Sequence, residues 1–533
     1  MPSSTHWMNT SGESDPVWVH HVPYDKYPHF PPLTENMTTD VCIVGAGIAG
    51  ISIAYELVNR GKKVTMIEAR QVLSGETGRT AGHLSTALDD GYAMIEKEHG
   101  FNGARIAAES HAWAIERVGQ ICKSIGIDCD YRRLPGYEIS PYPRGHPSYH
   151  AHVARLKQEV KLARTLGLPA TFHHDLTVQG WNGSLDHGEG AKFADQATFH
   201  PTRYCVGVLD WLRKQSNFHC FAHTRMMSMH ESEVVEVHTK GGYTITAADM
   251  VEATCIPLQR LGVAAEMQSM RTYCIAIRIP KGSIEDCLIG AGPYRYARCT
   301  QCDDKEDYLV LGGCDHKVGL ENTRGRFAQL ETWARERFTN AGTVDYKWSG
   351  QVFEPSDCMA CIGKDPGQHH TYIITGDSGN GLTHGVLAGK MIADEIEGVD
   401  NPWASLYNPD RTIQASSVPR LLQHAVTHYQ GWVQPDVKDI EDLAVGSGGV
   451  IKEDPLAPVA VYKDEEGNAH RFSAVCPHSR AVLNWNQTEK SWDCPVHGSR
   501  FSCDGVCVQG PSKSNLTPIN DLAKREQRAQ EAI

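Results

Sequence analysis

The chain of 533 residues has no long uninterrupted apolar run. Its most apolar stretch, Val41 to Leu57, is broken by Gly45, Gly47 and Gly50 in a patterned array that suits a nucleotide-binding turn and not a membrane span. Positive charge is short as well. Lys and Arg total 51 against 64 for Asp and Glu, a net charge of −13, which argues against a duplex nucleic-acid binder and against a polybasic membrane-surface protein. The opening residues, MPSSTHWMNTSGESDPVW, lack the charged and apolar regions of a secretory leader, and QRAQEAI carries no peroxisomal or lipidation signature. The expectation is a soluble cytoplasmic protein. No internal repeat or low-complexity tract is visible, and 41% hydrophobic with 22% charged residues excludes wholesale disorder.

What the chain has in quantity is 17 cysteines and 27 histidines. An odd number of thiols spread over a long chain does not describe a disulfide scaffold, so the thiols are expected reduced, some of them holding metal. The length allows roughly three domains. Residues 1–37, rich in Pro, His and aromatics, read as an extended arm over a domain. Residues 38–400 read as strand, turn and helix patterns, with helices at Tyr92 to Ile125 and Tyr149 to Leu166 and strand-like runs between Thr272 and Gly313. Residues 401–435 read as a linker, helical near Val418 to Tyr429. Residues 436–518 carry short strands between Gly, Asp and Asn turns, an all-β pattern, and 519–533 are a charged tail.

Gly45, Gly47 and Gly50 form G-A-G-I-A-G directly after the strand DVCIV and at the start of an amphipathic helix. The first glycine permits the tight turn, the second lets the backbone approach a pyrophosphate, and the third lets helix and sheet pack closely. The helix opening at Ile48 and Ala49 then turns its partial positive charge toward the phosphates. Glu68, closing the next strand, stands where a carboxylate accepts both ribose hydroxyls. The later run Gly376, Gly379, Gly381, Gly385 follows another strand without that spacing. It presents a second helix N-terminus near Leu382, able to stabilise negative charge on a reduced flavin.

The segments DVCIVGAGIAGISIAYELVNRGKKVTMIEAR and GDSGNGLTHGVLAGKMIADEI together resemble the FAD-dependent D-amino-acid oxidase family, which includes glycine and sarcosine oxidases, over roughly residues 39 to 398. The resemblance implies an α/β, Rossmann-like FAD-binding domain interleaved with an α+β substrate domain. It implies pyrophosphate contacts from Gly45, Gly47, Ile48, Ala49 and Gly50, and adenosine contacts from Glu68, Ala69 and Arg70. It implies flavin or pyrophosphate contacts from Thr77, Arg79, Thr80 and His83. Gly376, Asp377, Gly379, Gly381, Leu382 and Thr383 would line the isoalloxazine and ribityl chain. No second dinucleotide fingerprint is present, so the two electrons are expected from the substrate and not from a nicotinamide.

Near the C-terminus, Cys476-Pro-His478 and Cys494-Pro-Val-His497-Gly-Ser-Arg-Phe set out C-x-H and C-x-x-H. Two thiolates and two imidazoles suit zinc. The spacing also resembles that of Rieske domains, which implies a [2Fe–2S] cluster with cysteines on one iron and histidines on the other. The residues at the positions of the bridging disulfide of high-potential members are Ala481 and Val496, so that bridge cannot form. Phe501 cannot donate the hydroxyl bond of a tyrosine, and both departures predict a potential toward the low end of the Rieske range, with Ser499 still offering one hydrogen bond. Cys299 with Cys302, Cys358 with Cys361, and Cys503 with Cys507 read as plain thiols. A Rieske oxygenase is excluded by domain order, since its mononuclear iron domain usually follows the cluster module.

The whole resembles oxidoreductases with an amino-acid-oxidase-like FAD domain fused to a C-terminal Rieske domain. That implies hydride transfer from a small amine, amino acid or related metabolite to flavin N5, electrons passing between FAD and cluster, and an external acceptor or oxygen. A non-amine metabolite, or electron delivery to a partner oxygenase, are the other readings. Arg271, Tyr273, His200, Arg203, Tyr204 and His316 are the expected substrate-side residues, an Arg being able to clamp a carboxylate bidentately. No general base is assigned.

Overall fold

The computed structural model describes residues 6–182, 188–259, 263, 266–292, 295–320, 323–411, 432, 437–452, 454 and 456–519. The helical stretch expected at Val418 to Tyr429 and the tail beyond residue 519 lie outside them. Val41, Cys42 and Ile43 are almost wholly buried on both faces of the strand Met37–Val44. A continuous apolar run of this kind belongs to a parallel strand covered on both sides. The strand lies between Thr244–Glu252 and Val64–Ile67, parallel to both, in a sheet that is eight-stranded among the described residues. Phe218–Phe221 extends one side in parallel and Thr371–Thr375 the other. Helices Ile48–Asn59 and Gly381–Ile396 pack against each other over this sheet, and their apolar faces share its main core with Tyr92–Ile125. The last helix is bent at Gly100, whose φ is 70°, and ends at Gly126 in left-handed conformation, a common helix stop.

A second sheet, nine-stranded among the described residues, runs in the order Val344–Pro355, Met267–Pro280, Glu306–Lys317, Arg295–Gln301, Leu288–Ala291, Arg132–Ile139, Gly188–Thr198, His83–Leu84, with Ala170–Leu176 beside Gly188–Thr198. The C-terminal part consists of two small antiparallel sheets, Ser447–Ile451 to Ala469–Ser473 and Asn484–Asn486 to Cys507–Gln509, as an all-β module should. No described helix is long and apolar enough to cross a membrane.

Residues 6–36 are not a simple extended arm. They make short helical turns at His6–Asn9, Val17–His20 and Tyr24–Lys26, and they are wedged in. Trp7 is part of the core of the C-terminal module, while Trp18 donates its indole N–H to the Thr80 carbonyl at 2.7 Å. Large aromatic side chains gain too much from burial to lie loose on a surface.

Candidate functional site

A cavity of about 650 Å³ is lined by residues of both large sheets. Its floor is the glycine turn. Gly45 has φ 111°, and a Cβ at Gly50 would lie 2.0 Å from the Gly45 carbonyl oxygen, so only glycine permits this approach. Glu68 pins the turn from the next strand, one oxygen accepting the Ala46 N–H and the other the Arg70 N–H, each at 3.0 Å. Thr77 Oγ1 accepts the Ile48 N–H at 3.0 Å. Gly45, Gly47, Ile48, Ala49, Glu68, Ala69, Arg70, Thr77, Arg79, Thr80 and His83 all line the cavity, as do Asp377, Gly379, Gly381 and Leu382 from the other side. The size of the cavity, its backbone glycines and the helix N-termini at Ile48 and Gly381 fit a dinucleotide.

Three expected contacts do not line it. Gly50 is spent on packing, Gly376 lies against Met267 and Pro355, and Thr383 turns its hydroxyl to His111 Nδ1 at 2.7 Å. Two arginines line the cavity but aim their guanidinium groups elsewhere. Arg70 donates to the carbonyls of Trp7, Thr10, Ser74 and Val508, stitching the N-terminal segment and the C-terminal module to the turn. Arg79 donates to Ser349 O, Thr10 Oγ1 and Ser14 O, and pairs with Glu489 at 3.4 Å. His83 sits edge-on to Tyr296, and burial with the Arg298 charge pushes its pKa down to about 3, so its ring is neutral.

The expected substrate residues lie off the cavity. Arg271 and Tyr273 face Glu489 and Asp493 of the C-terminal module, with Arg271 3.5 Å from Glu489, and His316 stacks on Tyr273. His200 accepts the Arg203 N–H to cap helix Pro201–Leu212, and its ring meets Trp18; Arg203 and Tyr204 belong to that helix. Successive strand residues face opposite sides of a sheet, so the residues that do line the cavity are the next ones along, Thr272 and Asp315. Around them stand Asp89, Asp90, Tyr137, Glu138, His152, Arg155, Glu159, Arg295, Tyr296 and Glu354, which the sequence did not single out because they come from separate strands, loops and a helix.

In the C-terminal module each ligand pair occupies its own tight loop. Cys476 N–H bonds the Ala481 carbonyl at 2.9 Å and Cys494 N–H the Ser499 carbonyl at 2.8 Å. Both thiols are fully buried, and the His478 and His497 rings stand 5.2 Å apart beside them. A single zinc gathers its ligand atoms within roughly 4 Å of one another. Among the described residues, only Cys302, Asp303 and Glu306 bring three such atoms within 4.8 Å. The four loop residues are therefore spread too widely for one ion, and two thiols facing two imidazoles fit a binuclear iron centre. Cys302, Asp303 and Glu306 are otherwise engaged, Asp303 accepting two backbone amides and Glu306 pairing with Arg278. Ser499 Oγ accepts the Ser512 N–H at 3.0 Å, and the hydroxyl beside a ligand sulfur is that of Ser479, 3.2 Å from Cys494 Sγ.

The module is docked on the cavity. Val508, Gln509, Gly510 and Ser512 line it, and Arg225 donates to the Cys507 carbonyl at 3.1 Å. On the far side, Gln351 lines the cavity while its side-chain amide donates to the Gly498 carbonyl, next to His497, at 2.9 Å. Between these contacts Glu489 is wholly enclosed. Burial alone would raise its pKa, but Arg79, Arg271 and Arg500 outweigh it and hold the carboxyl at about 2.

Residues 40–395 match the family model described as FAD dependent oxidoreductase, and residues 436–520 match that of the Rieske [2Fe-2S] domain. The chain is 27% identical over 505 residues to YhfW of Bacillus subtilis, described as a Rieske 2Fe-2S iron-sulfur protein, covering 92% of this chain and 96% of that one. It is 25% identical over 399 residues to gamma-glutamylputrescine oxidoreductase of Escherichia coli, covering 70% of this chain and 87% of that one. In fold it resembles glycine oxidase from Geobacillus kaustophilus, with a TM-score of 0.60 at 17% identity, covering 71% of this chain and all of that one.

Proposed function

We propose, from the premise that this chain belongs to the FAD dependent oxidoreductase family and carries a C-terminal Rieske [2Fe-2S] domain, that it dehydrogenates a small amine and passes the electrons between its two centres. FAD, when bound, supplies a two-electron acceptor for the hydride on the carbon beside nitrogen, and the cluster a one-electron relay. Gly45, Gly47, Ile48 and Ala49 would hold the pyrophosphate, Glu68 the ribose, and Asp377 to Leu382 the flavin end. Cys476, His478, Cys494 and His497 would hold the cluster. The relative named for gamma-glutamylputrescine supports an amine as the substrate class.

One observation carries the coupling of the centres. Gln351 belongs at once to the cavity wall and to the ligand loop of the module, through its bond to Gly498. Its backbone N–H is held by Glu76 of the short turn Glu76–Arg79, which follows the strand Val64–Ile67. A separate partner oxygenase would not require this loop to be packed against the flavin cavity. The test is anaerobic mixing of the holoenzyme with amines, amino acids and non-amine alcohols. Flavin absorbance and the electron paramagnetic resonance of the cluster are followed together. The expected result is bleaching by an amine with a Rieske-type signal growing in step. Bleaching without any cluster signal refutes the coupling, and bleaching only by an added reductase refutes substrate oxidation.

A further inference from the structure

The glycine turn and Glu68 mark the end of the cavity suited to adenosine, pyrophosphate at the turn and ribose at the carboxylate. At that end the wall is not made by the two large sheets alone. Val508, Gln509 and Gly510 of the C-terminal module close it, together with Met226 and Leu258. Arg70, two residues past Glu68, donates to the Val508 carbonyl at 2.9 Å, and Arg225 to that of Cys507 at 3.1 Å. A Cβ at Gly510 would lie 2.8 Å from Leu258 Cδ2, so the chain after the strand Cys507–Gln509 packs directly on this residue. Just beyond, the Ser512 N–H is bonded to Ser499, two residues from the ligand His497. The segment that closes the cofactor cavity is thus tied to a cluster loop.

One polar side chain in this segment is left without work. Gln509 is 6% exposed and lines the cavity. Among the described residues its side-chain amide makes no hydrogen bond, and it is not sealed in protein, so its edge opens on the cavity. An enclosed amide without partners is costly to keep unless a ligand completes it. The chemistry of that ligand follows from the group. A primary amide offers a donor and an acceptor side by side, and a phosphate, which only accepts, uses half of it. An adenine edge carries the complementary pair, an amino donor next to a ring-nitrogen acceptor. Met226, Leu258 and Val508 supply apolar surface for the faces of a base.

We infer that the C-terminal module is itself part of the FAD site, with Gln509 recognising the adenine base. The glycine turn holds a pyrophosphate whatever base follows it; the amide from the iron-sulfur module decides which base is held. The cofactor is then fully enclosed only while the module is docked. The inference rests on FAD as the cofactor and is independent of the substrate oxidised.

The test measures binding, not turnover. Full-length protein freed of flavin but keeping its cluster is titrated with FAD and with flavin purine dinucleotide, which lacks only the 6-amino group of the base. Bound flavin is read by ultrafiltration, and the electron paramagnetic resonance of the reduced cluster reports that the module is intact. Wild type should bind FAD about tenfold more tightly or better, because the analogue leaves the amide oxygen unpaired. Gln509→Met should bring the two dissociation constants close together, chiefly by weakening FAD. Lys513→Met is the control: it cuts a neighbouring clasp, the 3.4 Å bond to Gln259 Oε1, without lining the cavity, and should keep the preference. If Gln509→Met loses the cluster signal, Gln509→Asn decides, since its amide is one methylene short and should also reduce the preference. Equal binding of the two dinucleotides by wild type overturns the inference. So does a preference that survives at residue 509 or is lost equally in Lys513→Met.

Discussion

Glu489 offers the sharpest perturbation, because a single carboxylate joins three parts of the molecule. It is completely enclosed, 3.4 Å from Arg79 of the flavin side and 3.5 Å from Arg271 of the second sheet. It accepts the Ser349 hydroxyl and the Glu13 N–H of the N-terminal segment. Its carboxyl titrates at about 2 instead of 4.5, because the three arginines outweigh burial. At about 1.4 kcal/mol per pH unit, that difference is about 3 kcal/mol in favour of the ionised folded state. For an acid with a lowered pKa the contribution is fully present above pH 4.5 and disappears as the pH falls toward 2. Glu489→Gln should therefore destabilise docking of the C-terminal module by about 3 kcal/mol at pH 7, since it leaves buried guanidinium groups uncompensated. The measurement is the urea concentration at which the cluster signal is lost, for wild type, Glu489→Gln, Arg271→Met and the double variant. The double variant should be more stable than the sum of the two single losses, because it removes an uncompensated guanidinium group together with its partner. A Glu489→Gln midpoint unchanged at pH 7, or strictly additive losses, would refute the reasoning.

Other outcomes follow from the same geometry. Gly50→Ala should cost about 1–3 kcal/mol and most of the bound FAD, because its Cβ meets a backbone oxygen at 2.0 Å that cannot move aside; flavin content after purification measures it. Gln351→Leu removes the 2.9 Å bond to Gly498, worth about 1 kcal/mol, and should slow cluster reduction more than flavin reduction in stopped-flow traces. Glu138→Gln should stabilise the substrate-free holoenzyme by about 1–3 kcal/mol at pH 8 and by nothing at pH 4.5. A buried acid with its pKa raised to about 7 weakens the fold as the pH rises from 4.5 through 7, and thermal unfolding at the two pH values checks the sign.

The amino-acid sequence alone determined the parts whose chemistry is packed into short segments. The strand, glycine turn and helix from Met37 to Asn59, the carboxylate of Glu68, and the pairs Cys476/His478 and Cys494/His497 are each a local arrangement. Steric rules at a turn, or the reach of one loop, decide them. The helix Tyr92–Ile125 was legible for the same reason, since its apolar spacing and closing glycine are local signals. The tertiary structure decided which face of each strand meets the cavity. Thr272 and Asp315 line it, while their neighbours Arg271, Tyr273 and His316 turn toward the C-terminal module. A period of two marks the alternation along a strand but not which side is inward. It also decided that Arg70 and Arg79 act as clasps between domains, and that Asp89 and Glu138 share one cavity. Those contacts join residues tens to hundreds of positions apart, and only the packing of sheets, N-terminal segment and module brings their charges into the same low-dielectric space.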